Sequence, residues 1–388
     1  MMRAIPSEFA EAPHSPPSVA KSFTLDFKIT TATYGGGVEA GLPDRITPVR
    51  ASQCRGLLRF WWRASRGSRF PTVATLRAEE ARIWGSTVHS SPIQIEILNP
   101  QLGIEAQSVR NGVYEEPRYA LFPAQSNDQH HGYRPIYKGG SFQLKFRCPP
   151  GVFDELDASV RYWVAFSGIG SRTRRGLGAL FCGDYPHREI LSYPADLAAT
   201  AVTLPWPQLK GGLIAMGNQP MLHQQAWEAA VNALRDFRQS RYGRFGRSRR
   251  PEPDAIRVLT GQSAPAHNAP VNPAGDFPRG RFGGPIIFHF RQDGHRLGDP
   301  NDTTLLPASD HAVFERMASP LILKPIAVSA THSVPAALLL NAPQPSRFVL
   351  REKDGTEHTI TAGASDVLGE FMAFVHARPE WRGVYGAI

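Results

Sequence analysis

The chain has 388 residues, of which 41% are hydrophobic and 20% charged, and it carries a formal net charge of +9. That length exceeds what one small core organises and makes two domains the natural division. The composition excludes a disordered chain, and no apolar run approaches the ~18 residues of a membrane span.

In chain order, residues 1–20 are rich in Pro and Ser and lack a signal-peptide core, which points to a disordered N-terminus and a cytoplasmic protein. Phe23, Leu25, Phe27 and Ile29 then alternate with Thr24, Asp26 and Lys28, the pattern of a strand with one wet face. Tyr34-Gly-Gly-Gly37 opens a loop, and a helix is predicted over Arg55–Arg66. Alternation predicts strands at Ile93–Leu98 and Phe142–Phe146, and helical spacing predicts a helix at Phe153–Phe166. A glycine-rich loop leads from it into a strand at Leu177–Cys182. Strand, helix, strand, strand, helix, strand is the split βαβ order of a ferredoxin-like fold, so residues 21–192 are read as one such domain.

A proline-rich connector, 193–212, precedes a second α+β half, 213–388. Trp227, Val231 and Leu234 place a helix there. Strands are expected at Ile286–Phe290, Leu321–Ile326 and Phe348–Arg351, with a helix at Asp366–Ala377. Residues 261–285 form a long loop of the kind that is commonly functional. Three distant cysteines without C-x-x-C spacing argue against a disulfide framework or a zinc knuckle. The histidines are scattered, His130-His131 being the one adjacent pair. Neither a metal nor a cofactor is expected.

The most informative stretch runs from Gly168 to Leu180. Gly168, Gly170, Gly176 and Gly178 flank Arg172, Arg174 and Arg175, with Ser171 and Thr173 between them and no acid. Glycine lets backbone N–H groups approach a ligand, and arginine pairs bidentately with phosphate oxygens. The spacing matches neither a P-loop nor a dinucleotide fingerprint, so a polyanion other than a mononucleotide is indicated.

Two further basic clusters extend this. Between Asp44 and Glu79 no acidic residue occurs, while Arg45, Arg50, Arg55, Arg59, Arg63, Arg66, Arg69 and Arg77 do. On a helix, Arg55, Arg59, Arg63 and Arg66 share an arc of about 80°, with Trp62 at its border, where a ring can stack on a base. A helix face without acids for i,i+4 pairing looks for an external anion. Later, Arg235, Arg238, Arg241, Arg244, Arg247, Arg249 and Arg250 are opposed only by Asp236, and Tyr242 and Phe245 are interleaved among them. Cations with rings suit single-stranded nucleic acid; pairing with Glu252 and Asp254 is the structural alternative. Backbone-dominated binding of RNA or another single strand fits best.

Ser52-Gln-Cys-Arg-Gly-Leu-Leu-Arg-Phe-Trp-Trp-Arg-Ala64 and the Gly168–Leu180 loop together resemble the RAMP (repeat-associated mysterious protein) superfamily of CRISPR proteins. Within it they are similar to subunit one of the type III-B, or Cmr, effector complex. Arg247–Arg257 and Phe277–Ile287 resemble that subunit's second half. The resemblance implies two ferredoxin-like, RRM-like domains with long loop insertions. It also implies a non-catalytic subunit that binds the 3′ part of the CRISPR RNA, and possibly target RNA, beside other RAMP subunits. Where members commonly carry Trp, this chain has Arg250 before Pro251, and the family does not explain the Pro-rich start. A repeat-processing endoribonuclease using His130, His131 or Tyr34 is one alternative. An assembly subunit without RNA contact is another.

Overall fold

The computed structural model describes residues 20–39, 41–110, 113–115, 117–124, 134–186, 204–241, 248–250, 252–263, 276–290 and 298–388. The Pro-rich start up to residue 19 and His130-His131 lie outside them. The first unit runs β1 (Lys21–Ile29), α1 (Ala51–Arg66), α2 (Val73–Trp84), β2 (Gln94–Ala106), β3 (Ile136–Cys148), α3 (Phe153–Phe166) and β4 (Leu180–Phe181). Its sheet is antiparallel in the order β2-β3-β1-β4. Leu25, Phe27 and Ile29 face inward and Thr24, Asp26 and Lys28 outward, as the alternation requires. Phe27 stacks on its cross-strand partner Phe142 at 5.0 Å, and Trp163 of α3 lies 5.3 Å from Phe27. β4 is shorter than expected because Gly176–Gly178 form a turn in place of its first residues.

The second unit contains β5 (Gln208–Met216), α4 (His223–Arg238), α5 (Glu252–Thr260), β6 (Ile286–Phe288), β7 (Thr303–Ala308), β8 (Leu321–Ala327), β9 (His332–Asn341), β10 (Arg347–Arg351), β11 (Glu357–Thr361), α6 (Val367–His376) and β12 (Val384–Ala387). Its main sheet is antiparallel in the order β8-β9-β5-β12. A separate sheet, β6-β7-β10-β11, is supplied by insertions before β8 and after β9. The expected strands at Ile286–Phe290 and Phe348–Arg351 belong to this inserted sheet. Because β5 begins at Gln208, the connector read as 193–212 ends before that residue.

The two units share a layer. Ile322, Ile326, Val334, Ala336 and Leu338 join Leu58, Trp61 and Trp163 of the first unit in one buried cluster. Leu321, Leu323 and Ala337 point the other way, to Leu234 and Phe237 of α4 and Phe371 and Met372 of α6. The second sheet is thus packed between α1/α3 and α4/α6. With both faces covered, β8 and β9 read as apolar runs rather than alternations.

Candidate nucleic-acid interface

The glycine–arginine loop leaves the end of α3 and folds tightly on itself. Ile169 N–H donates to Gly178 O at 3.0 Å, Gly178 N–H to Ala32 O at 2.9 Å, and Ser171 N–H to Tyr34 O at 2.7 Å. Gly178 is left-handed (φ 60°), and a Cβ there would lie 2.0 Å from Ile169 O. A Cβ on Gly176 would lie 2.6 Å from the Trp227 ring of α4. These glycines therefore serve close packing of the loop. Gly35 and Gly36 press on Ser171 and Gly170 in the same way, which brings the early glycine run beside the loop.

Two of the three loop arginines hold the units together. Arg174 donates to Ser319 O and lies 5.1 Å over the Phe60 ring. Arg175 donates to Leu321 O at 2.9 Å and Ser319 Oγ at 3.2 Å, and its carbonyl accepts from Trp227 Nε1 at 2.7 Å. Thr173 belongs to the same short helical turn, and Arg172 precedes it, exposed and in a left-handed conformation (φ 59°). Burial pulls the Arg175 guanidinium down to about 9, with Arg172 and Arg238 adding to the effect, and pulls Arg174 down to about 10. Both stay cationic at neutral pH. Arg238, on α4, donates to Tyr119 Oη at 2.9 Å. Among the described residues, Arg172, Arg174, Arg175 and Arg238 form no ion pair with a carboxylate.

The arginine stripe of α1 has internal partners, which corrects its reading as a purely cationic face. Glu80 of α2, 5% exposed, accepts from Arg59 at 2.8 Å and Arg63 at 2.7 Å. Glu155 of α3 meets Arg66 at 3.5 Å and Arg69 at 3.3 Å. It also accepts from Trp62 Nε1 at 2.7 Å, and Trp62 is 1% exposed, so this ring is not available to stack on a base. Arg50 donates to Gly36 O beside the loop. Arg55 has no carboxylate among the described residues: it donates to Ser91 Oγ at 2.7 Å and Ile93 O at 2.9 Å, and burial lowers its pKa.

In the later cluster, Arg241 and Arg249 are exposed, and Arg250 pairs with Glu370 at 2.7 Å over the Phe237 ring. Arg244 and Arg247, with Tyr242 and Phe245 between and beside them, lie outside the described residues. Among the described residues, Glu252 pairs with Arg279 and Asp254 with Arg257. Folding joins the three clusters only in part. The loop meets α1 through Phe60, under Arg174, and α4 through Trp227, whose Nε1 donates to Arg175 O. Tyr119 is a member that the sequence did not single out, since no periodicity links residue 119 to Arg238. The wet face of the first sheet carries Thr24, Asp26, Lys28, Gln143, Lys145, Arg147, Gln94 and Glu96, with Lys145 paired to Glu96 at 3.4 Å. Those residues include no ring for base stacking. Tyr34, the candidate base of a nuclease, is buried and donates its hydroxyl to Pro123 O at 3.1 Å. Among the described residues, no group of His, Cys, Asp and Glu could hold a metal, and no helix is long and apolar enough to cross a membrane.

Residues 26–180, from within β1 to the start of β4, match the model of the RAMP superfamily. Among solved structures, Cmr1 from Pyrococcus furiosus (apo form) is similar with a TM-score of 0.52 at 15% identity, covering 92% of this chain and 97% of that one. The two share a fold of mixed helices and antiparallel sheets. A chain of the type III-B Cmr-beta complex bound to cognate target RNA aligns with a TM-score of 0.44 at 11% identity, over 91% of this chain and 99% of that one. Cmr6 from Pyrococcus furiosus aligns with 0.24 at 12%, over 42% of this chain and 98% of that one. No curated protein sequence matches the chain.

Proposed function

We propose that this protein is a non-catalytic, RNA-binding RAMP subunit of a type III-B CRISPR ribonucleoprotein, built from two ferredoxin-like units. It binds the CRISPR RNA near its 3′ part, beside other RAMP subunits. The observation that carries this reading is the arginine group at the seam. Arg172, Arg238 and Arg174 each act on the Arg175 guanidinium, and no described acid offsets them. Guanidiniums held in place by carbonyls and a phenol keep further N–H groups for a phosphate. An anion shared by them relieves the repulsion that burial has concentrated. The family match and the shared Cmr1 fold support the same role.

Arg172 is the residue to test, because it is exposed and makes no bond between the units. Binding of a fluorescein-labelled single-stranded RNA 20-mer is followed by anisotropy across a salt series. Arg172→Ala should weaken binding to all sequences alike and flatten the log–log salt slope by about 0.7. Unchanged affinity and slope would remove the loop from the interface.

A further inference from the structure

Gly56 sits in the middle of α1, exposed, with nothing within 4 Å of where a Cβ would project. Only proline is a poorer choice for a helix interior, and here no internal contact demands glycine. Gly369 of α6 shows the ordinary case: a Cβ there would collide with the Asp366 carboxylate at 2.1 Å. At about 100° per residue, Gly56 borders the arc of Ser52, Arg55, Arg59 and Arg63 on one side, with Gln53 and Phe60 on the other. Gln53 reaches toward Gly36 and Phe60 lies under Arg174, so that second side adjoins the glycine–arginine loop.

Beyond the arginine arc lies an open cleft of ≈ 870 Å³ lined by Arg55, Arg59, Ser86, Thr87, His89 and Ser90. Arg55 is fixed there by two hydrogen bonds and has no described acid. The residues from Ser86 to Ser90 are exposed hydroxyls, a histidine and Val88. Hydroxyls and arginine suit phosphate and sugar oxygens.

We infer that a single strand of RNA leaves the glycine–arginine loop, crosses α1 in contact with the bare backbone at Gly56, and seats a phosphate in the Arg55 cleft. This path rests on the RNA-binding reading above. The occupant is identified by charge: the arc on one side of Gly56 carries Arg55, Arg59 and Arg63, and Glu80 neutralises only one of the two arginines it touches.

The test uses the full chain with the labelled RNA 20-mer and three variants. Gly56→Gln adds a side chain at the crossing, and Ser90→Asp adds a negative charge to the cleft. Thr24→Asp adds the same charge on the wet face of the first sheet. Gly56→Gln should melt no lower than wild type, since glutamine is the better helix former. Gly56→Gln and Ser90→Asp should each weaken RNA about tenfold, and Thr24→Asp should not. Wild-type affinity in either of the first two overturns the path, as does an equal loss in Thr24→Asp. Lack of binding by the wild type itself would instead overturn the RNA-binding reading.

Discussion

Replacing Glu80 by glutamine should separate stability from RNA affinity in one substitution. The Glu80 carboxylate is 7% exposed and meets two guanidiniums, of Arg59 and Arg63, whose side chains are 34% and 36% exposed. Hydrogen bonds to a charged group contribute about 1.5–3 kcal/mol each when desolvated. Solvent at the arginine ends screens both, which favours the low end. Glutamine retains a neutral oxygen for one of them. The net loss is about 2 kcal/mol, or a fall of about 2.5 °C in Tm for a chain of this size. The same change leaves one more uncompensated cation on α1, which should tighten single-stranded RNA and steepen the salt slope by up to about 0.7. Thermal melts and anisotropy titrations on one preparation read both effects. A Tm unchanged within a degree would refute the claim that this carboxylate holds the arginine stripe.

Arg175→Ala should lower Tm by roughly 2 kcal/mol of stability, because Leu321 O and Ser319 Oγ lose a charged donor at the seam, whereas Arg172→Ala should leave Tm in place. Trp62→Phe should cost about 1–3 kcal/mol through the unpaired Glu155 oxygen and the smaller ring, with RNA affinity preserved. An affinity loss without destabilisation would restore the stacking role. Lys324 Nζ, fully buried, donates to Val164 O at 2.8 Å and Ser167 O at 2.7 Å, and burial pulls its pKa down to about 7. The unfolded chain then holds the proton that the folded chain releases, so this group adds stability as pH rises from about 7 toward 10.4. Tm measured over that range should climb more in wild type than in Lys324→Met; parallel curves would contradict the shift.

What the sequence made legible follows from which surfaces are wet. β1 faces solvent on one side, so its apolar positions alternate. α1 and α3 each have helical periodicity because one face of each meets the first sheet. β5 and β9 have no wet face and were not expected, Pro335 further disguising β9, whereas β8 was expected at Leu321–Ile326 despite Pro325. The arginine stripe was visible, but its acids were not: Glu80 and Glu155 stand on other helices and reach it only through packing. Trp62 was misplaced for the same reason, since a border position on one helix became interior once α3 closed over it. The loop arginines were identified correctly as unusual, while their carbonyl partners at Ser319 and Leu321 lie far along the chain and leave no local trace.

The shared layer has a consequence for biosynthesis. A ribosome that has released only the first unit presents α1 and α3 with their far sides bare, because Ile322, Ile326, Val334 and Leu338 have yet to emerge. The nascent first half is therefore an obligate intermediate with an uncovered apolar flank, and its burial waits on the translation of β9. Slower elongation across residues 181–341 prolongs that exposure and raises the demand for chaperones.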